Sequence, residues 1–153
     1  KVIKITSYTK SRIKALEHIF SNESSVIAKI YSFGVYDKYI WYESEKLNQI
    51  NSQVESLILD FCIWLFINHR NKIKEKIDDL YSKSFSGLKA YNNMRFVNRE
   101  KLDEYLPSII LFLDELNKYK MVHNDLNSGN IMKTNLMVYK AIDQESFVRK
   151  GLK

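Results

Sequence analysis

The chain has 153 residues, with 24 Lys and Arg against 18 Asp and Glu, a net charge of +6. This length suits one domain or a compact two-lobed unit, and these 153 residues are not expected to hold a larger multidomain assembly. With 45% hydrophobic and 13% aromatic residues the chain carries a real core, while one Pro and four Gly exclude collagen-like, linker-rich and many-turned all-β designs.

The single cysteine, Cys62, lies in an apolar run, so neither an internal disulfide nor a cysteine-type zinc site can form, and a reducing compartment such as the cytoplasm is expected. With Phe61, Ile63 and Trp64 around it and no nearby base, Cys62 reads as core packing. The excess of basic residues is spread along the chain and reads as solvated surface, so no nucleic-acid partner is expected. The first apolar stretch, Val2 to Ile5, is too short for a signal peptide or a membrane span. The chain starts without Met and is expected to be a piece of something longer.

In chain order, KVIKIT at residues 1–6 is β-branched and predicts a strand. Ser11 to Phe20 places Ile13, Leu16 and Phe20 at helical spacing, and the polar SNESS run ends that helix. Val26 to Val35 and Lys38 to Tyr42 are rich in β-branched and aromatic residues, predicting two paired strands. From Asn48 the period becomes helical, with Ile50, Val54, Leu57, Phe61 and Trp64 or Leu65 on one face and Asp60 interrupting the densest apolar run. The eleven residues from Leu57 to Ile67 are too few to cross a bilayer and predict a buried core helix. Residues 70–82 continue helically, and 82–93 read as a polar connection. The Lys-rich stretch from Arg70 to Lys89 reads as a solvated face. Residues 99–119 give a helical stripe of Leu102, Leu106, Ile109, Ile110, Leu113 and Leu116, with Pro107 predicting a kink or a fresh helix start. His18 and His69 lack companions at metal-ligand spacing and read as ordinary surface or boundary residues.

The chemistry concentrates in MVHNDLNSGNIM and the following KTNLMVYKAID, which set His123, Asp125, Asn130 and Asp143 in order, five residues separating Asp125 from Asn130 and thirteen Asn130 from Asp143. Phosphoryl transfer from ATP needs a carboxylate to orient the acceptor hydroxyl and oxygen ligands to hold magnesium on the phosphates. Asp125, Asn130 and Asp143 offer such groups. Ile131 to Lys133 and Met137 to Ile142 read as the arms of a hairpin turning at Thr134 and Asn135, which would bring Asn130 and Asp143 side by side.

HNDLNSGN resembles the H-x-D-L-x-x-x-N catalytic loop of the protein-kinase-like superfamily, whose metal-binding Asp follows a hairpin. The Asp143-Gln144-Glu145 tripeptide, in place of D-F-G, is more similar to atypical bacterial branches: aminoglycoside-phosphotransferase-type enzymes, lipopolysaccharide-core kinases and minimal effector kinases. The resemblance implies an α+β kinase-like fold, with an incomplete, β-containing amino-terminal lobe over residues 1–47. A helical lobe with the catalytic loop and hairpin would follow over 48–153. It implies ATP and Mg2+ as cofactors, Asp125 as the catalytic aspartate, Asn130 and Asp143 as metal ligands, and His123 as a structural prop. Lys4, in a Val-Ile-Lys strand, would hold the α- and β-phosphates with Glu17 as its partner, Glu23 being a second choice in the polar loop. The adenine-pairing hinge would fall at Glu43 to Lys46, including Glu43 and Glu45, with Tyr42 beside the adenine.

Departures from the pattern are informative. No glycine-rich phosphate loop precedes Lys4, so the chain is a fragment or handles phosphates without that lid. Asn124 stands where regulated kinases carry Arg, and Asn127 where serine/threonine kinases carry Lys. With ten residues after Asp143, an activation segment and substrate-binding helices are expected to be missing from this stretch. About 75 residues between hinge and catalytic loop are closer to the small-molecule phosphotransferases. The expected function is therefore an ATP- and magnesium-dependent kinase acting on a hydroxyl of a protein, sugar or antibiotic, located in the cytoplasm or, for a secreted effector, in host cytosol. The alternative is a pseudokinase or minimal-kinase interaction module that binds nucleotide or a protein partner with little transfer.

Overall fold

The computed structural model describes residues 1–82 and 94–150. The chain is α+β and divides into two compact units. The first comprises Lys1–Gln49, Glu115–Leu126 and Asn130–Lys153, and the second Ile50–Asp114 with Asn127–Gly129.

In the first unit, β1 (Val2–Ser7), β2 (Ile30–Tyr36) and β3 (Tyr39–Ser44) form an antiparallel sheet in the order β1-β3-β2. The register pairs Lys4 with Tyr42 and Thr6 with Ile40. Strand alternation sends Ile30, Ile40, Tyr42 and Ser44 to a buried face and leaves Ile3, Ile5 and Trp41 on the open one. Trp41 lies across Gly34, where any Cβ would meet the indole ring at 2.8 Å, so only glycine fits. Helix α1 (Lys10–Ser21) starts at Thr9, whose hydroxyl accepts from the Arg12 amide at 3.1 Å. It buries Ala15, Leu16 and Ile19 at i, i+1, i+4 spacing.

The expected strand from Val26 begins later, at Ile30. The Val26–Ala28 stretch instead bonds to Ala141, whose amide donates to Val26 (2.8 Å) and whose carbonyl accepts from Ala28 (2.9 Å). Composition identified these residues as extended, but tertiary pairing gave them a different neighbour. The rest of this unit consists of two short antiparallel pairs. β4 (Met121–His123) pairs with β7 (Phe147–Arg149), and β5 (Ile131–Lys133) with β6 (Tyr139–Ala141). The hairpin turn is longer than expected, running through Thr134–Val138, with Met137 in the left-handed region at φ 64.

In the second unit, α2 (Gln53–His69) is capped by Ser52, which accepts from the Glu55 amide at 3.2 Å. The helix therefore starts five residues after Asn48. It is apolar on most sides and buries Ile58, Leu59, Cys62, Leu65 and Phe66 more fully than the expected stripe, since Val54 is exposed and Leu57 and Trp64 are half-buried. Cys62 is fully buried, and loss of solvation pushes its thiol up to about 12, leaving it inert. A short turn at Arg70–Lys72 separates α2 from α3 (Ile73–Ser82). The remainder of the expected polar connection lies outside the described residues.

Helix α4 (Arg99–Asn117) runs unbroken through Pro107, correcting the expected restart. Pro107 is exposed, and the helix is held by buried Leu102, Ile109, Phe112 and Leu113. Packing of these side chains outweighs the one backbone hydrogen bond that proline removes. Arg99 joins α3 to α4 by bonding Asp78 at 2.7 Å and Asp103 at 3.1 Å. Among the described residues, no helix is long and apolar enough to cross a membrane.

Candidate functional site

The residues singled out by sequence sit on the loop and hairpins of the first unit. His123, at the end of β4, is buried and uses both ring nitrogens. Nε2 lies 2.8 Å from the Ile142 carbonyl, and Nδ1 accepts from the Asp125 amide at 3.0 Å. This pairing requires the neutral, Nε2-protonated tautomer. Burial is the main cause of a pKa below the ordinary value for histidine, outweighing the Ile142 carbonyl and the nearby Asp143 and Asp125. His123 thus fixes the direction of the chain into Asp125 and ties it to the residue preceding Asp143.

Asn130 makes a second tie. Its side-chain amide donates to the Asp125 carbonyl at 2.8 Å and reaches the Asp125 carboxylate at 3.5 Å. Its backbone carbonyl accepts from the Ile142 amide at 2.9 Å, where the β5–β6 hairpin closes. Asp125, Asn130 and Asp143 therefore emerge from a common hydrogen-bonded frame. Asp143 itself adopts a left-handed conformation, φ 61 and ψ 51, uncommon for a residue other than glycine or asparagine. The turn is stabilised by the Ser146 amide donating to the Asp143 carbonyl (2.9 Å) and the Ser146 hydroxyl to its carboxylate (2.8 Å).

Asp143 has a second carboxyl partner, Glu145, to which no motif spacing points. Burial raises the Glu145 pKa, and the hydrogen bond to Asp143 raises it further, so of the two carboxyls Glu145 is the one whose neutral form is favoured. For Asp143, burial alone would raise the carboxyl. Hydrogen bonds from Glu145 and Ser146, with help from the Lys4 charge, outweigh it and hold the group below the usual range. Tyr42 completes the arrangement: fully buried, it donates its hydroxyl to Glu145 at 2.6 Å. The phenol is thus committed to this acidic pair, and burial foremost, with Glu145 next, pushes its pKa far up. Between Asp143 and Glu145, Gln144 is fully buried and donates to Ala28 and Ser44 at 2.9 and 2.8 Å, anchoring the turn to the end of β3.

Lys4 projects from β1 onto the same side as Tyr42, its ammonium 6.0 Å from the ring centroid. Glu17 is exposed on α1 and forms no ion pair with Lys4. Glu23, the second choice, pairs with Lys29 at 3.6 Å. At the expected hinge, Glu45 accepts from the Lys140 ammonium at 2.9 Å and the Lys29 amide at 3.1 Å, and Glu43 accepts from the Ser32 hydroxyl at 3.3 Å. Both side chains are therefore engaged within the protein. In the second unit, the Asp60 carboxylate, first noticed as an interruption, accepts from the Ser128 amide at 2.7 Å and its hydroxyl at 2.8 Å. Its sequence signal is a carboxylate inside the apolar run from Leu57 to Ile67.

Among the described residues no group of three His, Cys, Asp or Glu could hold a metal. Magnesium bound through one or two protein oxygens together with substrate phosphates requires no such group, and the mixed amide and carboxylate donors of Asn130 and Asp143 suit it.

No family model and no curated protein matches the chain. Among solved structures, it is similar to monomeric WbdD, with 17% identity over 92% of this chain and a TM-score of 0.46. It is also similar to WbdD co-crystallised with a kinase inhibitor, with 16% identity over 96% of this chain and the same TM-score of 0.46. The chain spans 25% and 29% of the length of those two chains.

Proposed function

We propose that the chain is the catalytic part of an ATP- and magnesium-dependent phosphotransferase of the protein-kinase-like type, acting on a hydroxyl of a protein or small molecule. Residues 1–47 would be an amino-terminal lobe and 48–153 a helical lobe. One observation carries this reading: His123 and Asn130 tie the chain at Asp125 to the end of the hairpin that presents Asp143. In the mechanism, Asp125 orients the acceptor hydroxyl and takes its proton as the new bond forms. Asn130 and Asp143 would hold magnesium, which supplies charge neutralisation on the phosphates when bound. Lys4 contributes positive charge toward those phosphates. The charged form of Asp143 is favoured, since its pKa is held below the usual range while that of Glu145 is raised.

The exposed Glu17 favours a second reading. With Glu17 not paired to Lys4, the chain could serve as a pseudokinase or minimal-kinase module that binds nucleotide or a protein partner through the same residues and transfers little phosphate. Thermal unfolding of the full-length protein with Mg-ATP tests the common ground. The nucleotide at 100 times its Kd should add about 2.7 kcal/mol of stability, and Asp143→Ala should abolish the effect. Absence of any shift in wild type would overturn nucleotide binding. Phosphate transfer to an acceptor panel then separates the readings. A loss of about 100-fold or more in Asp125→Ala supports the enzyme, whereas equal background signals support the module.

A further inference from the structure

The first unit contains a concavity of about 1150 Å³ that none of Lys4, Asp125, Asn130 or Asp143 lines. Its wall is made by α1, the segment leading into β4, and the end of β7. Six of its twelve lining residues are Lys or Arg, namely Lys10, Lys14, Lys118, Lys120, Arg149 and Lys150, and none is Asp or Glu. Across the whole chain only 24 of 153 residues are basic, so positive charge is concentrated here about threefold.

Stability does not account for this placement. Lys10 and Lys14 occupy the first turns of α1, where the helix dipole is positive and no acidic residue offsets it. They also stand four residues apart, a like-charge spacing that weakens a helix. Lys118 is paired with Glu115 at 2.9 Å, and the Lys150 ammonium donates to the Asn117 carbonyl. Lys10, Lys14, Lys120 and Arg149 are exposed and have no hydrogen-bond or ion-pair partner among the described residues. Four unpaired cations lining one hollow, two of them placed against the helix dipole, suit a ligand that brings its own negative charge.

We propose that this cavity binds a compact anion carrying several phosphate groups. A volume above the roughly 300–1,000 Å³ of ordinary small-molecule sites is too large for one phosphate and suits several. The concave shape selects a compact ligand over a duplex, which needs an extended stripe. Tyr119, the aromatic ring at the wall, is already committed: its hydroxyl donates to the Asn22 carbonyl at 2.6 Å, and its ring packs edge-on against His18. It is not available as the stacking platform that single-stranded nucleic acids require. The phosphates could belong to a free metabolite or to a lipid headgroup, and the chemistry recognised is the same.

Inositol hexakisphosphate is a suitable soluble probe, titrated calorimetrically into the full-length protein at about 0.15 M salt, where screening leaves only close charges effective. Saturable one-to-one binding is expected. Lys14→Glu combined with Arg149→Glu should weaken it by about tenfold or more, since each reversal replaces attraction with repulsion. The same charge change in Lys72→Glu with Lys74→Glu, both exposed outside the cavity, should stay within about twofold. Co-sedimentation with phosphatidylcholine vesicles containing phosphatidylinositol bisphosphate separates the sources. Vesicle binding with the same sensitivity assigns a headgroup, and soluble binding alone assigns a free anion. The proposal is overturned if neither probe binds, if both variant pairs weaken binding equally, or if a short single-stranded RNA binds more tightly with the same dependence. Because the readout requires neither transfer nor nucleotide, it is independent of the kinase reading.

Discussion

Ser128 directs both its backbone amide and its hydroxyl onto Asp60, one to each carboxylate oxygen, at 2.7 and 2.8 Å. In sequence, Ser128 lies between Asp125 and Asn130, so the carboxylate in α2 holds the middle of the motif that carries the proposed chemistry. Asp60→Ala leaves the Ser128 amide without its acceptor and should cost about 1–3 kcal/mol, read as a lower urea midpoint at unchanged m-value. Asp60→Asn keeps one acceptor oxygen and should recover part of the loss. Equal stability of wild type and Asp60→Ala would show that the loop does not depend on this contact.

The buried, neutral His123 makes stability pH-dependent with a definite sign. Its folded pKa lies below the ordinary value of 6.5. As pH falls through 6.5, the unfolded chain takes up a proton that the folded chain refuses. The contribution is therefore complete above that value and is lost progressively on acidification until the lower folded pKa is passed. Unfolding free energy measured from pH 8 to pH 5 should decline below about 6.5 in wild type and decline less in His123→Gln. An identical pH profile in the two proteins would contradict the neutral tautomer.

Lys4 and Glu17 should behave differently on substitution. Glu17 is exposed and lacks an ion pair with Lys4, so Glu17→Gln should change stability by no more than about 0.5 kcal/mol. It should also leave any Mg-ATP-induced melting shift intact. Lys4 faces the Tyr42 ring and contributes to keeping Asp143 ionised. Lys4→Met should diminish the nucleotide shift and raise the Asp143 pKa, followed by carboxyl carbon chemical shifts. A loss of nucleotide response in Glu17→Gln equal to that in Lys4→Met would restore the paired role.

Local pattern made several elements legible. The β-branched run at Val2–Thr6, the existence of α1 and the two arms of the β5–β6 hairpin depend on short-range spacing, which a sequence displays directly, although of the expected α1 stripe only Leu16 is fully buried and Phe20 is exposed, Ile19 packing in its place. Pattern was a weaker guide where the environment decides. Helix α2 is so uniformly apolar that no stripe identifies its buried side, and Pro107 reads as a break until the packing around Leu102 and Ile109 is seen. Val26 to Ala28 reads as part of one long strand, because nothing in its composition tells that its partner is Ala141.

The amino-acid sequence by itself determined the order and spacing of His123, Asp125, Asn130 and Asp143, the scarcity of turn residues and the excess of positive charge, since these are properties of the chain. Tertiary structure alone decided who meets whom. Tyr42 donates to Glu145 across 103 positions and Ser128 to Asp60 across 68. Glu17 points to solvent, and six basic residues from three separate segments surround one hollow. Such pairings depend on how burial, hydrogen bonding and charge are satisfied together in three dimensions, and no periodicity along the chain encodes them.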